Sequence, residues 1–142
     1  MILHSLGKIP DGYTYDGKYT ALSAEEITES NCNVDEVWYW YACESYEGSG
    51  DMIVRMKNSF YFFEISHCSC NGPLDKLNEI DKKKSFSLDD IQKMKQDHSQ
   101  EYTDEAWLAV SPLIDMVLNS VYAKKMEKDY SIRPNRFETL EI

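Results

Sequence analysis

The clearest pattern along the chain is a strict two-residue alternation that begins at Trp38. Trp38, Trp40, Ala42 and Glu44 alternate with Tyr39, Tyr41, Cys43 and Ser45. A run so rich in large aromatic residues predicts a strand on a pleated, half-buried surface. Glu47-Gly48-Ser49-Gly50 then predicts a tight turn, because glycine reaches positive φ without steric cost. Met52–Lys57 predicts a second strand, with Met52, Val54 and Met56 on one face. Asn58-Ser59 reads as a two-residue turn. Phe60–Ile65 predicts a third strand, with Tyr61, Phe63, Ile65 and His67 facing one way and Phe60, Phe62 and Glu64 the other. Connections this short imply an antiparallel meander. Cys68-Ser69-Cys70-Asn71-Gly72-Pro73 ends it, since Gly-Pro stops a ladder.

Other periods hold on either side. Tyr13 to Thr20, with Asp16-Gly17 at its centre, carries the signature of a small hairpin. Ser23-Ala24-Glu25-Glu26 is a capping box, with Ser23 at N-cap and Glu26 at N3, and predicts a short helix to about Glu29. Residues 71–85 read as a loop with one helical turn near Leu74–Ile80. Ser87-Leu88-Asp89-Asp90 starts another helix, its acids complementing the helix dipole. Thr103 opens a further one, in which Trp107, Val110, Ile114, Val117, Leu118, Val121 and Tyr122 keep helical spacing. Pro112 falls inside this stripe and either kinks the helix or begins a new one. The expected fold is α+β: an antiparallel sheet of four to six strands from the N-terminal half, covered on one face by C-terminal helices. The 142 residues form one domain, sheet-forming over 1–70 and helical over 74–126, with an extended tail over 128–142.

Charge narrows the choice of partner. Fifteen basic against 25 acidic residues give a net charge of −10, unevenly spread. No base lies between Lys18 and Arg55, an interval that holds Glu25, Glu26, Glu29, Asp35, Glu36, Glu44, Glu47 and Asp51. Direct nucleic-acid binding is disfavoured, because neutralising phosphates takes clustered Lys and Arg. A field of this sign steers towards a basic protein surface, including that of a nucleic-acid-binding complex. Ten tyrosines add amphipathic contact area. Tyr13 and Tyr15 join Glu25, Glu26, Glu29, Asp35, Glu36 and Glu47 as candidate partner-binding residues. No stretch approaches the roughly 18 apolar residues of a membrane-spanning helix. The first residues lack a basic region followed by a long apolar run, so the expectation is a cytoplasmic protein with reduced cysteines.

Reactive side chains concentrate at His67-Cys68-Ser69-Cys70. His67, Cys68 and Cys70 are possible zinc ligands, with Cys43 or another group as the fourth, although C-x-C is tighter than the usual spacing of structural zinc sites. No resident cofactor is expected otherwise. A thiol nucleophile would need a base within about 3 Å, and adjacent residues on a strand diverge. Glu47-Gly48-Ser49-Gly50 lacks the ending of a phosphate loop. A paired-carboxylate site from Glu44, Glu47, Asp51 and Glu64 has only proximity in its favour.

Tyr46-Glu47-Gly48-Ser49-Gly50 and His67-Cys68-Ser69-Cys70-Asn71-Gly72, separated by two strands, resemble a group of small uncharacterised bacteriophage and prophage proteins. These share a YEGxG turn, a hydrophobic hairpin and an HCSCxG ending. The resemblance covers residues 38–75 and transfers no mechanism. It implies an accessory viral protein; such proteins include acidic inhibitors of host defence, some of which imitate DNA by surface charge. The expected function is therefore a non-enzymatic, acidic protein-binding accessory protein, an inhibitor of a bacterial nucleoprotein such as a CRISPR effector. The alternative is a zinc-binding protein centred on the His/Cys cluster.

Overall fold

The computed structural model describes residues 1–67, 72–101 and 105–132. Five strands lead: β1 (Ile2–Ser5), β2 (Lys18–Tyr19), β3 (Glu36–Glu44), β4 (Glu47–Met56) and β5 (Ser59–His67), with the helix α1 (Ala24–Ser30) between β2 and β3. A 3₁₀ helix (Asp75–Lys82), α2 (Leu88–Glu101) and α3 (Glu105–Ile132) follow. The class is α+β. The order across the sheet is β1-β3-β4-β5, and β2 pairs with β3 beyond the end of β1. The sheet is mixed: β3, β4 and β5 form the antiparallel meander, whereas β1 runs parallel to β3.

The alternation is realised on both faces. Val37, Tyr39 and Tyr41 of β3, with Met52, Val54, Phe63 and Ile65, build one core against Leu22, Ile27, Leu77 and Ile80. Trp38, Trp40 and Ala42, with Ile53 and Phe60, build a second core against Ile91 of α2 and Trp107, Leu113, Ile114 and Val117 of α3. The C-terminal helices thus cover one face as expected, while α1 and the 3₁₀ helix close the other. The sheet is packed on both faces, and its central strand β3 is buried from Glu36 to Ala42. Each buried aromatic contributes a few kcal/mol of apolar transfer, by order of magnitude. The tryptophans also fix α3 by hydrogen bonds: Trp40 Nε1 donates to the Ala109 carbonyl at 2.8 Å and Trp38 Nε1 to Ser120 Oγ at 3.2 Å.

Local signals set the helix starts. Ser23 Oγ accepts the Glu26 amide at 3.1 Å, and Glu26 reaches back to the Ser23 amide, completing the capping box. Ser87 and Asp90 exchange the same pair of bonds at α2, and hydrogen bonds from the Ser87 amide and then its hydroxyl hold the Asp90 carboxyl below its ordinary range. Pro112 lies inside one continuous α3.

Four expectations need correction. The β3–β4 turn is Ser45-Tyr46, with Ser45 at φ +52°, so Gly48 and Gly50 lie in β4 rather than in the turn. Gly50 answers a close approach: a Cβ there would lie 2.3 Å from the Trp40 carbonyl oxygen and 3.1 Å from Ile65 Cγ1. The next turn is Lys57-Asn58, one residue earlier than expected, with Lys57 at φ +57° and its amide held by Asp35 at 2.7 Å. The hairpin at Tyr13–Thr20 does not form; only Lys18-Tyr19 is strand, and it pairs with Cys43 and Ala42 of β3. Residues 128–132 continue α3 instead of starting an extended tail, and Thr103 and residues 133–142 lie outside the described residues.

Candidate partner-binding surface

The eight candidate partner residues do not form one surface. The fold distributes them over three places, and their environments differ.

The first place is α1. Ile27 turns into the core, and Glu25, Glu26 and Glu29 face solvent. Asn31, at the end of α1, donates its side-chain amide to the Leu77 carbonyl at 3.1 Å, tying α1 to the 3₁₀ helix. Tyr39 of β3 reaches up to the entry of α1, where its hydroxyl accepts from the Leu22 amide at 2.8 Å. Between these elements lies a cleft of about 650 Å³. Glu26, Glu29 and Asp75 carry its charge, and Leu22, Tyr41, Pro73 and Leu74 supply apolar surface. Among the described residues no lysine or arginine lines it. Burial, and then a hydrogen bond with Cys43, push the Tyr41 hydroxyl up from its ordinary pKa, so it stays neutral. Asp75 is oriented by accepting the Gly72 amide at 2.9 Å. Among the described residues, Glu25, Glu26 and Glu29 form no ion pair.

The second place is the start of β3, and here the expectation fails. Glu36 is 1% exposed and cannot meet a partner. Its carboxylate accepts from Arg55 Nε at 3.1 Å and lies 2.7 Å from His4 Nε2. His4 stacks on Trp38 with ring centroids 5.3 Å apart, which orients its imidazole. Arg55 also donates to the Lys57 carbonyl at 2.8 Å and approaches Asp35 at 3.7 Å. The first base after the acidic interval is therefore spent on two of that interval's acids. Desolvating Glu36 is costly, and its partners are what make it tolerable. Asp35 is exposed but is engaged by Arg55 and the Lys57 amide.

The third place is the opposite end of β3, about 26 Å along the strand from Glu36. Glu47 is exposed beside the Ser45-Tyr46 turn, opposite Glu44. Tyr15 donates its hydroxyl to the Glu47 carbonyl at 3.4 Å. Burial, and then the charge of Glu44, raise the Tyr15 pKa. Tyr13 stands edge-on to Trp40, with centroids 5.1 Å apart, and its hydroxyl lies 3.4 Å from Ser49 Oγ. Both tyrosines pack on the α3 side of the sheet, opposite the face that α1 covers. They are not joined to the α1 acids.

The zinc candidates can be placed only in part. Cys68 and Cys70 lie outside the described residues. Cys43 is a free, half-buried cysteine of β3, and His67 ends β5. Gly48 pairs with Cys43 on one side and with His67 on the other, so the three backbone positions form one row across the sheet. No group of metal-ligating residues occurs among the described residues.

Two features went beyond the sequence reading. The Glu36–Arg55–His4 network left one signal: Glu36 has the parity of Trp38 and Trp40 and shares their buried face. The other is a pair within the four suggested carboxylates. Asp51 and Glu64 are direct neighbours across the β4–β5 ladder. Burial, and then the Glu64 charge, push the Asp51 carboxyl up to about 7 against a weaker opposing hydrogen bond from Trp40.

No family model, no characterised protein and no solved structure matches this chain. Among the described residues no helix is long and apolar enough to cross a membrane.

Proposed function

We propose that the chain is a non-enzymatic binding protein that receives a cationic segment of a partner protein in the cleft between α1 and the 3₁₀ helix. One observation carries this reading: the cleft is lined by Glu26, Glu29 and Asp75, with no base among the described lining residues. An acidic recess with apolar flanks suits a lysine or arginine side chain, whose stem packs while its head is neutralised. The net charge of −10 adds long-range attraction to a basic surface. With the resemblance to phage accessory proteins, the partner class is a bacterial nucleic-acid-binding complex such as a CRISPR effector, engaged on its protein surface in place of nucleic acid. Tyr13, Tyr15 and Glu47 belong to a separate patch, and Glu36 to none.

The test replaces Glu25 and Glu29 by lysine and Glu26 by glutamine, which retains the capping box. Quantitative capture from bacterial lysate should fall to background for this variant, with unchanged circular dichroism. Capture by the unaltered protein should weaken as salt rises. Equal capture by both proteins rejects the cleft.

A second reading, a zinc site on His67, Cys68, Cys70 and Cys43, draws support from the row that sets position 43 beside position 67 across a glycine. Stoichiometric zinc in the purified protein, lost on Cys43→Ser, would favour it over the cleft.

A further inference from the structure

β5 is an outer strand of the sheet. Its inner side is laddered to β4 from Ser59 to His67. Among the described residues, its outer side has a backbone partner only at Phe86, where the Phe60 amide donates to the Phe86 carbonyl at 2.9 Å and the Phe86 amide to the Phe60 carbonyl at 2.8 Å. Residues of an antiparallel strand alternate between bonding one neighbour and the other. Phe60 bonds outward, so Phe62, Glu64 and Ser66 also turn their N–H and C=O groups outward. Among the described residues none of these groups has a backbone partner. Glu64 and Ser66 are exposed, and Phe62 leans edge-on against Phe86 at the closed end. An open row of main-chain donors and acceptors is a template for another strand.

Charge selects among the strands that could add. Trp40, Asp51 and Glu64 form one row across β3, β4 and β5, with two carboxylates side by side and no base. The flanking rows end in Phe62 and Ser66 and are uncharged. Lys84 lies over the Phe86 ring, and Lys83 over the ring of Phe63, which has the opposite parity to Glu64 and packs on the other face, so neither sits in this row and a cation is called for at Glu64. A second copy of the chain is a poor occupant. Self-pairing centred on Glu64 sets like charges opposite each other, which destabilises an antiparallel pair. We propose that the outer edge of β5, from Phe62 to Ser66, accepts an extended segment of another protein as an additional strand, with a lysine or arginine placed beside Glu64. This surface is separate from the α1 cleft, and the two stand or fall independently.

The probe is a blocked synthetic peptide alternating valine and lysine, compared with its valine–glutamate counterpart. Amide exchange is followed by NMR on the full chain. The lysine peptide should slow exchange at Phe62, Glu64 and Ser66, and the glutamate peptide should not. Glu64→Lys should reverse this preference, shifting each affinity by about tenfold. Glu64→Pro should abolish protection while the fold survives, because the lost N–H points outward and proline is tolerated at such edges. If Glu64→Pro fails to fold, the preference reversal in Glu64→Lys decides. The variant altered at Glu25, Glu26 and Glu29 should retain edge binding. The proposal is overturned by no protection at millimolar peptide, by indifference of either peptide to Glu64→Lys, or by protection that grows with protein concentration in the absence of peptide.

Discussion

Asp51 shows how much one side chain's setting matters. Its half-buried carboxyl sits beside that of Glu64, with its pKa pushed up to about 7 from an ordinary value near 3.8. Between these two values the folded chain holds a proton that the unfolded chain has released. Stability therefore falls as pH rises through that window, and the full penalty is present above about pH 7. The size is bounded by the shift, up to about 4 kcal/mol. Asp51→Asn removes the charge and keeps the shape. It should raise the urea midpoint at pH 8, raise it much less at pH 4.5, and flatten the profile between. A variant as pH-dependent as the parent would place the titration elsewhere. Glu36 is more deeply buried than Asp51, yet two partners offset its desolvation where Asp51 meets a like charge. Neither difference could be read from the sequence, where both are acids in a base-free interval. The partners that decide their fates, His4, Arg55 and Glu64, become neighbours only through strand register.

At the scale of elements, local chemistry was legible and the choice of partner was not. The capping box at Ser23, the helix start at Ser87 and the two-residue alternation in β3, β4 and β5 are set by backbone geometry within a few residues, and each forms as read. The glycines misled. A glycine's freedom and a glycine's small size look alike in a sequence, and Gly48 and Gly50 serve inside a strand. At Gly50 the reason is contact with the Trp40 carbonyl. Gly17 repeats the case: a Cβ there would lie 2.9 Å from the Cys43 carbonyl oxygen, so Asp16-Gly17 marks a close passage and not a hairpin. The tyrosines expected to flank that hairpin turn instead to Trp40 and the Glu47 carbonyl. Gly50→Ala should then act by crowding rather than by turn strain. Because the obstacle is backbone, the β3–β4 ladder must yield, and a loss of about 1–3 kcal/mol or more is expected in equilibrium unfolding. An unfolding midpoint equal to the parent's would remove the crowding account.

For the whole molecule, the decisive fact is that, among the described residues, the sheet is packed on two faces and open at an edge. β3 lies at its centre, paired with β1 and β2 on one side and β4 on the other, with buried side chains from Glu36 to Ala42 on both faces. Leu6 and Thr20 add amide bonds to the Tyr39 and Tyr41 carbonyls. No partial opening can free these backbone groups without breaking both cores. The amides of Trp38 to Ala42 should exchange only through global unfolding, about 10³-fold or more slower than an open site in a domain of ordinary stability. β5 is also a strand, but its outward amides at Phe62, Glu64 and Ser66 should exchange at nearly the open rate in dilute protein, while those at Phe63 and Ile65 follow the core. A two-residue alternation of exchange along β5 is the expected signature of an unoccupied edge. Uniform protection along β5 in dilute protein would mean that something already covers that side, which would remove the acceptor edge while leaving the α1 cleft untouched. The acidic charge then has two separable roles: at α1 it lines a recess, and at Glu64 it guards an exposed ladder against copies of the same chain.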